Sequence, residues 1–270
     1  MKRLLQAKLS LILIIGLIAS KSFGQFEIGG AGSIASAWLM NKNVSNAGNS
    51  EGMALALSYN YGFHLGIDFT DNFGVVGNLL FGSYSQGYTG TFGNAGVTTD
   101  NYIYFAQQSY KATTTIKTMD IPVMFRFQGA SNSFVELGAQ YSIINGATYT
   151  ANYTNPSDSR SFSTTPYFAS SAIFGLLGFG DNFGLTDNLF IVPEFRILYS
   201  FTDLKGTDAM GQDLNNSNLY SGGSPMYPSG YQPTHMLMGT FTLGIFYYIE
   251  TDFTHHTGHQ KCKGPARVRG

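Results

Sequence analysis

The sequence has few charged residues and only one cysteine. Asp, Glu, Lys and Arg make up 11% of its 270 residues, whereas soluble domains carry about 25%. The single Cys262 excludes a framework of internal disulfides. A soluble domain of ordinary surface composition is therefore disfavoured.

The apolar stretch Leu9–Ile18 is too short to cross a membrane as a helix, which takes about 20 residues. It follows three cations in the first eight positions, and small residues occupy positions −3 and −1 of a cleavage site after Gly24. This arrangement is typical of a secretory signal peptide. We predict a signal peptide over 1–24, a folded domain over 25–250 and a disordered periplasmic tail over 251–270.

Cleavage leaves a chain with few cations. The signal segment carries four cations and no acid, so the mature chain has 11 Lys and Arg against 16 Asp and Glu, a net charge of −5. Binding to the phosphates of nucleic acid requires clustered cations. Nucleic acid is therefore not an expected partner.

Glycine and aromatic residues are abundant, with 33 Gly, 17 Tyr and 22 Phe. From Leu55 to Phe69 every odd position is apolar and every even position is small or polar. A half-buried strand of a soluble sheet keeps such alternation for about 4–8 residues. A tilted strand of about 9–11 residues crosses a bilayer with its apolar side outward. The stretch therefore predicts a transmembrane strand.

The same alternation recurs along the chain. Further strands are predicted at 26–40, 74–88, 119–127, 134–150, 167–180, 189–202 and 236–250. Short connections at 70–72, 129–133 and 186–188 alternate with longer polar segments near 41–52, 89–110, 151–166 and 203–233. Outer-membrane barrels show this asymmetry, with short periplasmic turns and long extracellular loops. We predict an all-β fold, an eight-stranded antiparallel transmembrane barrel of up-and-down order.

Charged and polar side chains at inward positions predict a polar network inside the barrel. Its members are Glu27, His64, Asp68, Asp120, Arg126, Glu136, Glu194 and Arg196. Arg126 and Glu136 are equally distant from the middle of the 129–133 turn, which predicts a cross-strand ion pair. Two interpretations of Glu136 and Glu194 stay open: paired charges that fill a narrow barrel, or a general acid–base couple.

Two further groups of residues are candidates for contacts outside the barrel. Trp38, Tyr199 and Tyr247 fit an aromatic girdle at the membrane interfaces. The segment 203–233 contains Asp208, Asp213, Asn216, Tyr220, Tyr227 and Tyr231. Its richness in Tyr, Ser, Gly and Asn is typical of binding loops, and a plain solvated loop is the alternative.

The sequence contains no phosphate-binding loop, HExxH or EF-hand motif. The tail holds His255, His256, His259 and Cys262, whose side chains suit zinc or copper. A flexible tail lacks the outer partners that orient metal ligands. We therefore predict no dedicated metal site, no cofactor and no catalytic set.

Three stretches resemble the porin-like outer-membrane β-barrel domain family that is common in Bacteroidota. They are S-F-G-Q at 22–25, I-P-V-M-F-R-F at 121–127 and F-V-E-L-G-A-Q-Y at 134–141. The resemblance covers most of 26–250 and implies a small barrel of OmpA/OmpX type in contact with outer-membrane lipid and the barrel-assembly machinery. Such barrels tend to end on a strand closing with Phe or Tyr, whereas this chain continues for about twenty residues.

The resemblance brings no catalytic residues. We expect a structural or surface-interaction protein with a plugged interior, whose extracellular loops contact a protein or glycan. A small-solute channel is the main alternative, and a lipid-modifying barrel enzyme is a third.

Overall fold

The computed structural model describes residues 25–42, 51–70, 72–92, 108–129, 132–154, 159–209, 211, 213–214 and 232–250. The predicted signal peptide lies outside these ranges, as do the predicted tail and Asn216, Tyr220, Tyr227 and Tyr231 of the predicted binding loop. Within the described ranges, no helix is long and apolar enough to cross a membrane.

The described chain is built from antiparallel strands. They are β1 Gln25–Met40, β2 Glu51–Ala54, β3 Leu57–Thr70, β4 Phe73–Phe92, β5 Gln108–Gln128, β6 Ser133–Tyr153, β7 Arg160–Ser163, β8 Ser171–Asp181, β9 Phe183–Gly184, β10 Leu189–Ser200 and β11 His235–Glu250. A 3₁₀ turn, Thr165–Tyr167, precedes β8. The longer strands pair in the order β1-β3-β4-β5-β6-β8-β10-β11, and β11 pairs with β1. The predicted eight-stranded barrel is confirmed.

The register fixes the stagger of the barrel. Successive Cα partners lead from Glu27 through Gly66, Val76, Met124, Gly138, Leu176, Leu198 and Met238 to Ala37. One circuit therefore returns to β1 ten residues farther along, from position 27 to position 37. Barrels of about eight strands have interiors just wide enough for side chains.

Side chains alternate between a buried interior and an exposed apolar wall. On β3, Tyr59, Tyr61 and Phe63 are each more than 60% exposed. Asn60 and His64, which point to the opposite face of the strand, are buried. Such an apolar outer wall is stable only in lipid, where a closed ring of strands satisfies the backbone without leaving an edge.

Two prolines lie where the strand ladder is interrupted. The pairing of β4 with β5 passes from Gly77–Val123 to Leu80–Asp120 and omits Pro122. Pro193 lies between the part of β10 that pairs with β9 and the part that pairs with β8. Proline has no N–H to donate, so it is tolerated only where the ladder is broken.

Two periplasmic turns share the sequence T-D-N and the same hydrogen bond. The N–H of Asn72 donates to Oγ1 of Thr70 over 3.3 Å, and the N–H of Asn188 donates to Oγ1 of Thr186 over 3.4 Å. A threonine hydroxyl that accepts from the backbone two residues on is a known turn device. The sequence echo of 69–73 at 185–189 thus reflects repeated turn chemistry.

The extents of four predicted strands and two predicted loops were wrong. The predicted 167–180 strand begins only at Ser171, because Thr165–Tyr167 forms a 3₁₀ turn. β4, β5 and β6 extend to 20 or 21 residues, so that β4 and β5 enter the predicted 89–110 loop. β7 lies within the predicted 151–166 loop and pairs with β6, and β2 pairs with β4. The strands continue past the point where their outward residues stop being apolar, which is where the alternating pattern ends.

Candidate functional site

The most highly charged part of the interior is centred on Arg126. Its Nη1 donates to both carboxylate oxygens of Glu27 over 2.8 Å, and its Nε donates to Glu136 over 2.9 Å. Arg126 lies directly opposite Glu136 in the β5–β6 register. All three side chains are buried, which favours the charged hydrogen bonds because water does not compete for them.

A second guanidinium extends this network to β10. Arg196 donates through Nε and Nη2 to both oxygens of Glu194, and its Nη2 lies 3.5 Å from Glu136. Acid and base therefore alternate from Glu27 through Arg126, Glu136 and Arg196 to Glu194. Each guanidinium contacts two carboxylates, which is the arrangement that makes a buried charge tolerable.

Aromatic rings pack against the charged groups. The ring of His64 stacks on Phe246 with 3.8 Å between ring centroids, and its Nε2 lies 2.9 Å from Glu27. The guanidinium of Arg126 lies 4.4 Å from the ring centroid of Phe134. These rings supply cation–π and stacking contacts where water is excluded.

Glycine leaves the room that these side chains occupy. A Cβ at Gly178 would lie 2.6 Å from Oε1 of Glu194 and 3.3 Å from the Cβ of Glu136. A Cβ at Gly66 would lie 2.8 Å from Oε2 of Glu27. Glycine on the facing strands is therefore required for the large charged side chains to fit inside so narrow a barrel.

The remaining two acids of the predicted network are placed differently. Asp68 is only partly buried; it lies opposite Gln25 at the start of β1 and within hydrogen-bonding reach of Glu27. Asp120 belongs to a separate cluster, where it accepts from the hydroxyls of Tyr84 over 2.6 Å and Thr118 over 3.0 Å. The residues predicted to form one polar network therefore form two clusters, one around Arg126 and one around Asp120.

Apolar groups enclose the charged network on both sides. Phe134, Phe190, Val192, Phe246 and Tyr248 lie in the periplasmic half of the interior, and Ala31 of the same cluster lies four residues beyond Glu27 toward the extracellular side. Toward the extracellular side a larger buried set includes Val76, Met124, Ile144, Phe174, Leu176, Leu198, Met236 and Met238. The ion pairs therefore lie in a dry layer of the barrel.

The described residues between Asp203 and Leu214 fold into the extracellular mouth of the barrel. Leu204, Asp208 and Ala209 are at most 1% exposed. The hydroxyl of Tyr149 on β6 donates to the carbonyl of Ala209 over 2.9 Å, and Ala209 packs in a cluster of Tyr88, Tyr110, Ala112, Tyr149 and Ala151. We call the described residues 203–209, 211, 213 and 214 the inward segment.

Backbone hydrogen bonds hold the start of the inward segment. The N–H of Leu204 donates to the carbonyl of Thr234, and the N–H of Ala169 donates to the carbonyl of Leu204. The N–H of Gly206 donates to the carbonyl of Tyr167. These bonds attach the start of the inward segment to the residues that precede β8 and to the residue that precedes β11.

This placement corrects one sequence-based expectation. Asp208 was predicted to lie on an extracellular binding loop, but its side chain is fully buried in the barrel mouth. Asp213 is partly exposed. The polar composition of 203–233 predicted solvent contact, whereas buried backbone groups of this segment find hydrogen-bond partners on the surrounding strands and connections.

The family of this chain follows from its sequence. The model of the outer membrane protein beta-barrel domain family matches residues 19–206, more than two thirds of the chain. The chain belongs to this family. This outer-membrane barrel is accordingly an integral protein of the outer membrane, as predicted. No curated protein matches the chain.

Several solved outer-membrane proteins are similar to this barrel. Ail, the attachment invasion locus protein of Yersinia pestis, is 14% identical with a TM-score of 0.32, covering 84% of this chain and 97% of that one. OprG of Pseudomonas aeruginosa is 10% identical with a TM-score of 0.35, covering 85% and 98%. The Escherichia coli protease OmpT is 10% identical with a TM-score of 0.38, covering 84% and 96%.

The residues predicted for the aromatic girdle lie on the outer wall at two levels. Trp38 and Tyr199 both pair with Leu237 toward the extracellular ends of their strands. Tyr247 pairs with Ile28 and Leu189 near the periplasmic ends. Tyr199 is 38% and Tyr247 47% exposed, and Trp38 is partly exposed.

Sequence reasoning missed several contributors to the interior and wall. Phe134 and Phe246 support the charged groups, and Tyr149 holds the inward segment. At the periplasmic end Phe73 packs on Phe69, Phe125 and Phe127. The signal available for Phe246 was a large residue at an inward position two residues after Gly244, whose missing side chain leaves space for the ring.

Proposed function

We propose that this barrel is a non-conducting, non-enzymatic surface protein of the Bacteroidota-type porin-like group. Its lumen is plugged by its own side chains and by the inward segment, and it acts through its extracellular part on a protein or glycan ligand. The observation that carries the proposal is the buried inward segment above a buried layer in which Arg126 and Arg196 each contact two carboxylates. The barrel-assembly machinery is the expected partner during insertion.

The size of the barrel supports a plugged lumen. Eight strands leave space for side chains alone, and open aqueous channels belong to barrels of 16–18 strands. Here Arg126 and Arg196 reach across that space to carboxylates on other strands, and both are at most 3% exposed. An ion that entered would have to displace these pairs.

The burial of the acidic pair argues against an enzyme. Glu136 and Glu194 were the candidates for a general acid–base couple, and both are at most 3% exposed and bonded to guanidinium groups. A catalytic acid or base has to come within hydrogen-bonding reach of its substrate. A substrate could meet this pair only after the inward segment and the apolar layer had moved aside.

Because Asp208 is buried, it does not belong to the proposed recognition region. Described residues that remain accessible on the extracellular side include Asp213 and the strands β2 and β7. Asn216, Tyr220, Tyr227 and Tyr231 keep their place in the proposal as sequence-based candidates.

Conductance in planar bilayers tests the plugged lumen. We expect no steady current steps from the full-length protein, because the charged layer lies between two apolar layers. A variant in which 204–214 is replaced by a short Gly-Ser linker should also fail to conduct, since the layer around Arg126 remains. Steady current that scales with the amount of folded wild-type protein would instead establish the small-solute channel.

A further inference from the structure

The outer wall of the barrel changes character abruptly on β4 and β5. The outward residues Phe81 on β4 and Met119 on β5 pair with each other, and the next outward pair is Ser83 with Lys117. Beyond it the accessible outward residues are Thr89 and Thr91 on β4, Ser109, Lys111, Thr113 and Thr115 on β5, and Thr148, Thr150 and Asn152 on β6. We call this polar region the hydroxyl wall.

The position of Lys117 relates the hydroxyl wall to the membrane. Lys117 is the first polar outward residue of β5 beyond the apolar belt, so its ammonium lies at the level of the lipid headgroups. Lysine favours this level because its stem packs on apolar surface while its charge stays hydrated. Cations close to an anionic membrane surface contribute about 1 kcal/mol each.

Lys111 lies much farther from the membrane on the same face. The two lysines lie six positions apart on one strand, which corresponds to about 20 Å along the strand and about 14 Å along the membrane normal at a tilt of about 45°. The headgroup layer of an ordinary bilayer is only about 5–7 Å thick on each side. A phospholipid whose phosphate meets Lys117 therefore cannot reach Lys111.

The charge of the hydroxyl wall is of one sign. Among its described side chains the charged ones are Lys111 and Lys117, both exposed and neither in an ion pair with a described residue. The chain as a whole is acidic once the predicted signal peptide is removed. This local reversal of sign gives the wall electrostatic complementarity to an anionic partner.

We propose that the hydroxyl wall binds the phosphorylated saccharide headgroup of an outer-leaflet glycolipid. Lys117 contacts a phosphate close to the acyl chains, and Lys111 contacts an anionic group farther out on the saccharide. Thr113, Thr115 and Thr150 between these levels offer hydroxyls that match sugar hydroxyls. This inference goes beyond the proposed function, because it concerns the outer wall and not the lumen or the loops.

Lipid titration of the purified full-length barrel in neutral detergent tests the proposal. The probes are a lipopolysaccharide with phosphorylated core, the same lipid after dephosphorylation, phosphatidylglycerol, and the free core oligosaccharide. Binding is measured as lipid phosphate or sugar retained per folded protein. The variants are Lys111→Gln and Lys117→Gln, and Lys205→Gln is the matched control because Lys205 is exposed but lies off the wall.

Each wall lysine should contribute about fivefold to the affinity for the phosphorylated lipopolysaccharide. Lys117→Gln should weaken binding of both lipids, whereas Lys111→Gln should weaken binding of the lipopolysaccharide alone. Dephosphorylation or high salt should reduce wild-type binding, since surface charge is screened by salt. Heat-dependent gel mobility shows that each variant is folded.

Three results would overturn the proposal. The first is equal lipopolysaccharide binding by both wall variants and Lys205→Gln. The second is a loss of phosphatidylglycerol binding in Lys111→Gln as large as its loss of lipopolysaccharide binding, which would place both lysines at one level. The third is competition by the free oligosaccharide as strong as that of the whole lipid, which would make the ligand a soluble saccharide. None of these measurements depends on conductance.

Discussion

Arg126 determines how the buried charges are balanced, because its guanidinium bonds carboxylates on two other strands, Glu27 and Glu136. Removing one partner of a buried ion pair costs about 3–5 kcal/mol, since the remaining charges are stranded. We expect Arg126→Ala to lower the free energy of unfolding by about this amount. Urea titration of the barrel in detergent micelles measures the change.

Arg160→Ala is the matched control for this substitution. Arg160 is exposed and donates to the hydroxyl of Tyr153 over 2.7 Å, and surface substitutions of this kind cost about 1 kcal/mol or less. Its unfolding midpoint should stay close to that of the wild type. Equal midpoints for the two variants would mean that Arg126 is hydrated and does not hold a buried network.

Only part of the charged network could be predicted from the sequence. The pairing of Arg126 with Glu136 follows from their equal distances to one turn, because a hairpin fixes the register of its own strands. The contact of Arg126 with Glu27 depends on how the barrel closes and on its stagger. Neither the closure nor the stagger can be determined from the spacing of residues along the chain.

The inward segment closes the extracellular mouth of the barrel. Its tie to the wall is the hydrogen bond from the hydroxyl of Tyr149 to the carbonyl of Ala209. Tyr149→Phe leaves that buried carbonyl without its donor, which costs about 1–3 kcal/mol. We expect trypsin to cut at Lys205 about tenfold faster in this variant, because cleavage follows the population of the locally open form.

Tyr153→Phe serves as the control for the trypsin measurement. Tyr153 belongs to the same strand and packs against the same cluster, but its hydroxyl accepts from Arg160. Cleavage at Lys205 should keep the wild-type rate there, and the global unfolding midpoint should be unchanged. Identical cleavage of both variants would show that the tyrosine does not retain the segment.

The lengths of the strands show where sequence patterns lose their power. β1, β3, β10 and β11 were predicted within about two residues, since their outward positions are apolar nearly throughout. β5 was predicted over 119–127 but begins at Gln108. Between Gln108 and Thr118 its outward side chains are Ser, Lys and Thr, which are equally common in loops. The hydrogen bonds to β4 and β6 make this stretch a strand.

The orientation of the whole molecule can be tested by labelling. Short turns containing Asn72 and Asn188 lie at one end of the barrel, and Ser161 of β7 lies at the other. In a Cys262→Ser background we expect Asn72→Cys and Asn188→Cys to resist a membrane-impermeant thiol reagent on intact cells. Ser161→Cys should react. Equal labelling at Asn72 and Ser161 would reject this topology.

The contact between Glu27 and Arg126 also bears on the order of assembly. The two residues are 99 positions apart, and the stack of His64 on Phe246 joins β3 to the last strand. A β5–β6 hairpin can pair Arg126 with Glu136 by itself, but Glu27 and Phe246 take their places only when β11 meets β1. Until that moment the carboxylates inside the nascent wall need water around them. Water therefore leaves the lumen in the last step of assembly, when β1 pairs with β11.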